Sequence, residues 1–440
     1  MTSATVTPAP AQIRASFIRD AEIETLLSDY TVPILRAAGV GVSAVQIYLI
    51  GSPTFNAFVA DGRRIFINSG VLMQAKTPNE VIGVMAHETG HIAGGHLARM
   101  RSELRGAQAM SVLTMLLGAG AMAAGAMAGA GGTGAQAGQA LMLGGQHAAQ
   151  RTLLAYRRGE EAAADRAAVN YLNATGQSSK GMLETFSTLA SQSFLSTKYT
   201  DPYAVSHPMP RERIAALEQL ARNSPHFDKK DPPALQHRHN LARAKLHGYL
   251  EHPSSVARRY PRSDTSVAAN YARTISKMRS GSYRDALSGV DRLINSEPNN
   301  AYFHELKGDL LVKAGRPREA IAPYRKAVSL APRPGLIRVA LGNALVATGD
   351  QALLNQGIQQ LNQGLQAEPD YATGYRQLAI AYGRSGRVAE AELATAQEHF
   401  ARGDHELAKR FAGRAQQGLK LGSPAWLRAD DILKYRPPRT

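Results

Sequence analysis

The sequence predicts two domains: a mostly helical α+β domain with a small sheet, then an all-α solenoid of paired helices. Three observations carry this reading. At 440 residues and 44% hydrophobic composition, the chain can bury more than one core. His87-Glu88-Thr89-Gly90-His91 follows an apolar helical run, which itself follows a cluster of β-forming segments. From about residue 265, Gly281, Gly315, Gly349 and Gly386 are spaced 34, 34 and 37 residues apart, and Pro298, Pro332 and Pro369 are spaced 34 and 37 apart. That is the tetratricopeptide period.

Taken in order, Met1 to Pro10 is polar and contains proline but no apolar stretch, so no signal peptide is expected. The chain is then either cytoplasmic or has lost a leader. Residues 45–50, 56–59 and 64–68 are rich in β-formers, and Asp61-Gly62 between the last two suits a tight turn. Thr77, Pro78 and Glu80 supply an N-cap, a proline at the first helical position and an acid at the third, so a helix starts here and carries His87 to His91. Residues 106–150 hold no Asp, Glu, Lys or Arg and eleven glycines. Residues 111–130 are long enough to span a bilayer, but their second half is Gly and Ala, which gain little from lipid. A loop or amphipathic hairpin is expected there, with reversible membrane-surface contact left open.

Arg157 to Leu172 reads as an amphipathic helix with Glu161 and Asp165 one turn apart, and another helix follows Pro210. Five prolines between Pro225 and Pro261 mark a linker with a short helix at about 238–250. The domain limits are therefore 1–225, a basic linker over 226–264, and repeats over 265–440. Gly308 and Gly342 fall where paired helices need close approach, the third repeat carries a three-residue insertion near Asp350 to Asn355, and a capping helix is expected near Glu406 to Leu419.

Lys plus Arg number 51 against 35 for Asp plus Glu, a formal charge of +16 that suits acidic partners, anionic lipid or nucleic acid. Part of the excess is local, with nine Lys/Arg in residues 222–262. No nucleic-acid-binding signature surrounds them, so they are read as a solvated linker and nucleic acid is not an expected partner. The absence of cysteine excludes disulfides, thiolate metal sites and cysteine nucleophiles, so any metal must be held by His and carboxylates.

His87-Glu88-Thr89-Gly90-His91 has HExxH spacing. On a helix, residues four apart differ by only about 40° in direction, so both imidazoles can reach one metal. Glu88 lies about 100° from His87, beside the metal and placed to act as a base. A metzincin would place its third ligand six residues beyond His91, but that position is Leu97. His96 is one residue early and is expected to bond locally. A carboxylate from a second helix is the other solution, and Glu160-Glu161-Ala162-Ala163-Ala164-Asp165 offers it.

HETGH together with E-x-x-A-D resembles the gluzincin metallopeptidase family of the HtpX and CAAX-prenyl protease type, most of all its soluble, periplasmic, repeat-tailed members of the BepA type. The likeness extends through Ile18 to Glu24, Asn56 to Val59, Ile65 to Asn68, His207-Pro208 to Arg213 and the repeats. It implies an α+β zincin-type metalloprotease domain followed by the tetratricopeptide-repeat solenoid. It also implies one zinc ion per chain on His87, His91 and Glu161, with Glu88 as catalytic base and Asp165 orienting a ligand histidine. Glu160 is then a surface neighbour.

The likeness places His207 near the metal, either binding the oxyanion or blocking the open metal position. A surface histidine is the bland reading of the same residue. Arg213 either stabilises substrate or oxyanion or forms a salt bridge. The likeness also puts Asn56, Ala57 and Phe58 on an edge strand beside the zinc that can pair with an extended substrate, simple core being the other reading of Phe58. The function implied is a zinc-dependent endopeptidase of the bacterial cell envelope that cleaves misfolded or misassembled outer-membrane proteins. Its compartment would be the periplasm, and its repeats would recruit substrate or the assembly machinery. The alternative is an assembly chaperone or scaffold with latent protease activity, His207 or residues 111–145 blocking the cleft.

Overall fold

The computed structural model describes residues 17–60, 62–105, 156–195, 203 and 206–437. The charge-free segment 106–150, with the blocking role expected for residues 111–145, lies outside the described residues, as does Asp61. The chain packs as two compact units. One holds Leu26–Arg243 together with residues up to Ile18, the other Arg19–Thr25 together with Ala244–Thr440.

The first unit contains β1 (Phe17–Ile18), most of α1 (Ala21–Ala37), β2 (Gln46–Ile50), β3 (Ala57–Ala60), β4 (Arg64–Asn68) and α2 (Ser69–Gln74). The strand order is β1-β2-β4-β3, with β2 parallel to β4 and each outer strand antiparallel to its neighbour. Strand alternation explains the sheet: Ile65 and Ile67 are fully buried, while Phe66 between them stacks on Tyr48 and Phe58, each 5.2 Å away. The turn before β4 contains Gly62 at φ 75°. The three expected strands are all present, within a residue of their expected ends.

α3 (Pro78–Ala93) begins with the expected capping box, the Thr77 side chain accepting from Glu80 N and Glu80 accepting from Thr77 N. It is followed by α4 (96–105), α5 (156–174), α6 (Lys180–Leu195) and α7 (Arg211–Arg222). The region expected to be a linker with one short helix is largely helical, as α8 (Pro233–Leu250) and α9 (Pro253–Arg259). Pro233 and Pro253 open these helices rather than interrupt them, because a helix's first residues need no N–H donor.

The second unit is built of helix pairs: α10 (Val267–Arg279) with α11 (Tyr283–Ser296), α12 (Ala301–Lys313) with α13 (Pro317–Leu330), α14 (Gly335–Ala347) with α15 (Gln351–Ala367), and α16 (Ala372–Arg384) with α17 (Val388–Ala401). α18 (His405–Gly418) and α19 (Pro424–Lys434) follow as caps. The repeating glycines Gly281, Gly315, Gly349 and Gly386 each turn between paired helices at φ 71–77°, a conformation that side chains disfavour. At Gly342 a Cβ would sit 2.7 Å from Leu361 Cγ and 2.9 Å from Gly357 O, so α14 and α15 meet nearly backbone to backbone. The three-residue insertion lengthens α15 to 17 residues against 14 in α13.

Residues 19–25 are part of this unit. Ala21 packs with Ala327, Leu336 and Ile337, and Arg19 pairs with Glu24 and Glu368. Buried Lys245 lies 2.7 Å from Asp20 and 3.3 Å from Glu22, which also accepts from Tyr271 OH at 2.9 Å. Among the described residues no helix is long and apolar enough to cross a membrane.

In the first unit, fully buried His239 on α8 joins α1 to the end of α2. Its Nε2–H donates to Ala75 O at 3.0 Å, which leaves Nδ1 bare to accept from Tyr30 OH, also at 3.0 Å. Burial, with Arg243 nearby, pushes its pKa down to about 4. An unfolded chain binds a proton here below about pH 6.5 that the folded chain refuses, so stability falls as pH drops from about 6.5 to about 4, by roughly 3 kcal/mol. Urea unfolding at pH 7, 5.5 and 4.5 should show this loss in the wild type. His239→Gln should lose that share of the pH dependence.

Candidate metal centre

α3 and α5 approach so closely that a Cβ on Gly90 would sit 2.9 Å from Ala164 O and 3.0 Å from Ala164 Cα. Glu161, one turn before Ala164, is thereby brought against His87 and His91. His87 and Glu88 are fully buried, Glu161 is nearly so, and the His87 ring meets Phe186 of α6 edge-on at 5.3 Å.

The donor atoms converge. His91 Nε2 lies 3.0 Å from His87 Nε2, while Glu161 oxygens lie 3.3 Å from His87 Nε2 and 3.6 Å from His91 Nε2. Tetrahedral zinc, with bonds of about 2.0–2.2 Å, sets its ligand atoms roughly 3.3–3.6 Å apart; both Glu161 distances fall in that range, and the two histidine nitrogens stand slightly closer. His207 joins the same group: its Nδ1 lies 3.1 Å from both Glu161 oxygens and 3.3 Å from His87 Nε2. One ligand atom from each of His87, His91, Glu161 and His207 lies within 4.8 Å of the others, and these four could hold a metal ion.

Three buried carboxylates, Glu88, Glu161 and Asp165, face one buried guanidinium, that of Arg213. Burial raises the pKa of Glu88, with His207 and His87 pulling the other way. Burial also opposes ionisation of Glu161, but His207 and His87 outweigh it and hold this carboxyl well below the usual range. Glu88 Oε2 is buried and has no hydrogen-bond partner among the described residues, while Oε1 lies 3.4 Å from Tyr203 OH and 3.5 Å from His207 Nε2.

Residues 19–221 match the sequence model of peptidase family M48. The chain carries a peptidase family M48 domain. It is similar to the beta-barrel assembly-enhancing protease of Yersinia pestis, 26% identical over 395 residues covering 88% of this chain and 77% of that protein. The protein of the same name from Escherichia coli (strain K12) is 24% identical over 425 residues, covering 94% of this chain and 81% of that one. A crystal structure of MamA aligns with 37% of this chain and 90% of its own, at 21% identity and a TM-score of 0.29. With this family domain and this donor set, the chain is a metalloendopeptidase.

Around the donors of the M48 domain, Asp165 Oδ1 lies 2.9 Å from His87 Nδ1. Arg213 donates to Asp165 from Nε at 2.7 Å and Nη2 at 2.9 Å, and from Nη1 to Pro208 O at 2.9 Å, with Glu161 also 2.9 Å from Nη1. Of the two roles expected for Arg213, these contacts are those of the ion pair, because its donors already face carboxylates and a carbonyl. Asn56 precedes β3, the edge strand of the sheet, and its Oδ1 is buried without a partner among the described residues. Ala57 is buried and Phe58 stacks on Phe66.

Sequence reasoning missed Tyr203, whose ring lies 4.5 Å from that of His207 and whose carbonyl accepts from His207 N. Its sole local sign is the four-residue spacing. His96 does bond locally, as expected: its Nδ1 lies 2.9 Å from Nδ1 of His91.

The Gly90–Ala164 contact yields a prediction. Gly90→Ala should part α3 from α5, costing about 1–3 kcal/mol as overpacked sites do. Calorimetry of the metal-free protein and metal retention after gel filtration should both fall. Unchanged retention would show that Glu161 reaches the donors without that contact.

Proposed function

We propose that this M48 protein is a zinc-dependent endopeptidase of the bacterial cell envelope that hydrolyses misassembled outer-membrane proteins in the periplasm. The observation that carries the reading is the convergence of His87, His91 and Glu161 on one point, with the buried Glu88 Oε2, which has no partner among the described residues, beside it. In this reading His87, His91 and Glu161 are the ligands, and Asp165, gripped by Arg213, holds His87 in its ligating tautomer. A bound zinc ion supplies Lewis acidity, activating water and polarising the scissile carbonyl. Glu88 takes the proton of the attacking water and delivers it to the leaving amine. Its burial supports this role, since a raised pKa suits a group that must both accept and donate. The edge of β3, which has no further strand beside it among the described residues, pairs with an extended substrate.

The envelope setting and the choice of substrate are supported by the relatives named as beta-barrel assembly-enhancing proteases, which align with most of the chain. The repeat unit recruits substrate or the assembly machinery.

A second reading, a latent protease serving mainly as an assembly chaperone or scaffold, draws on His207. As a fourth donor it takes the position that a catalytic metal leaves open, and the site works only once the ring withdraws.

Casein cleavage by the zinc-loaded protein should fall by about 10²–10⁴-fold in Glu88→Gln with zinc content unchanged. Equal cleavage by both proteins rejects the assignment. Cleavage should also vanish with a chelator and return with zinc. His207→Ala should raise cleavage several-fold if the fourth donor keeps the site latent, and lower it if His207 serves the oxyanion.

A further inference from the structure

The two histidines of the HExxH helix have unlike surroundings on their outer nitrogens. His87 faces a carboxylate directly, Asp165. His91 faces another imidazole, that of His96, at 2.9 Å between Nδ1 atoms. His96 is itself buried, and its Nε2 lies 2.8 Å from Glu160 Oε2. Glu160 in turn accepts from Arg99 Nη2 at 3.0 and 3.2 Å.

The proton order along this row can be worked out from the outside inward. A Glu160 carboxylate can only accept, so His96 Nε2, 2.8 Å from it, carries a hydrogen. A neutral His96 then has a bare Nδ1, which can only accept, so His91 Nδ1 carries a hydrogen. That leaves the His91 Nε2 lone pair free, and this is the atom lying 3.0 Å from His87 Nε2 within the donor group. Every link forces the next, and the row ends on the tautomer that a metal ligand needs.

The backbone is shaped to deliver His96. α3 ends at Gly94, and Gly95 at φ 65° turns the chain into α4, so His96 folds back beside His91. A Cβ on Gly94 would overlap the His96 ring. Glu160 comes from α5, next to Glu161, so one helix supplies a donor to the metal group and an anchor to this row.

We propose that His96 is a positioning residue for metal binding, anchored by Glu160 and Arg99, which fixes the His91 tautomer and raises its basicity toward the ion. The inference rests on the reading of His91 as a ligand.

The test is zinc affinity of the full chain by competition with a chromophoric chelator, together with the visible spectrum of the cobalt-loaded protein. His96→Ala should weaken zinc binding by about 10–100-fold, the usual effect of removing an outer partner of a ligand histidine. It should also shift the cobalt bands, which a merely structural defect would not do. His96→Asn, whose Oδ1 replaces the acceptor for His91 Nδ1–H, should recover most of the affinity. Glu160→Ala touches no donor atom and should still weaken binding several-fold. It also serves as the deciding variant if His96→Ala does not fold. Folded His96→Ala and Glu160→Ala proteins that both bind zinc within twofold of wild type, with unshifted cobalt bands, overturn the proposal. A wild type that binds no zinc stoichiometrically overturns the metal assignment itself, and this inference with it.

Discussion

Asp165 uses both of its oxygens at once: Arg213 holds it through two N–H groups while one oxygen also faces His87 Nδ1. The rest of the first unit's chemistry hangs on this arrangement. The same guanidinium reaches Glu161 and Pro208 O, so α5, α7 and the segment bearing His207 are tied at a single point. Buried carboxylates are tolerable only when paired and hydrogen-bonded, and here the partners are the groups that set the geometry of the donors. Removing Arg213 would strip Asp165 of both N–H donors that hold it, a costly loss for a buried carboxylate.

The parts of this arrangement that were legible in the sequence are those fixed within one helix or one repeat. The His87–His91 spacing, the Thr77–Glu80 cap and the repeating glycines are local facts, and local geometry suffices to interpret them. Glu160 and Glu161 are a harder case. They are adjacent acids about 100° apart on one helix, and spacing alone gives no reason to prefer either. The family pattern pointed to Glu161, and in the fold Glu161 turns toward the donors while Glu160 turns to His96 and Arg99. The contacts of Arg213, Tyr203 and His96 depend on segments meeting across the fold, which no single window of sequence contains. The prolines at 233 and 253 misled for a different reason, since proline both starts and stops helices and its meaning depends on which side the helix lies.

The two histidines of the HExxH helix thus face different partners, one a carboxylate and one an intervening imidazole. Both supports come from α5, through Asp165 and Glu160, so the contact of that helix with α3 at Gly90 sets the distance and the orientation of the donors together.

The second unit carries a temporal consequence. Arg19 and its partner Glu368 are separated by 349 residues, and the whole of 26–243 intervenes between the two stretches that form this unit. A ribosome adding about 5–20 residues per second takes on the order of half a minute to cover that distance. Throughout that interval Arg19 to Thr25 are already synthesised while the helices they will pack against do not yet exist. The two units therefore alternate along the chain, residues up to Ile18 and 26–243 belonging to the first and 19–25 and 244 onward to the second, and closure of the repeats is a late event in the life of the nascent chain. A fragment beginning at Ala244 would lack these residues altogether, leaving Lys245 with only the distant Glu305, 3.9 Å away, among its acidic partners.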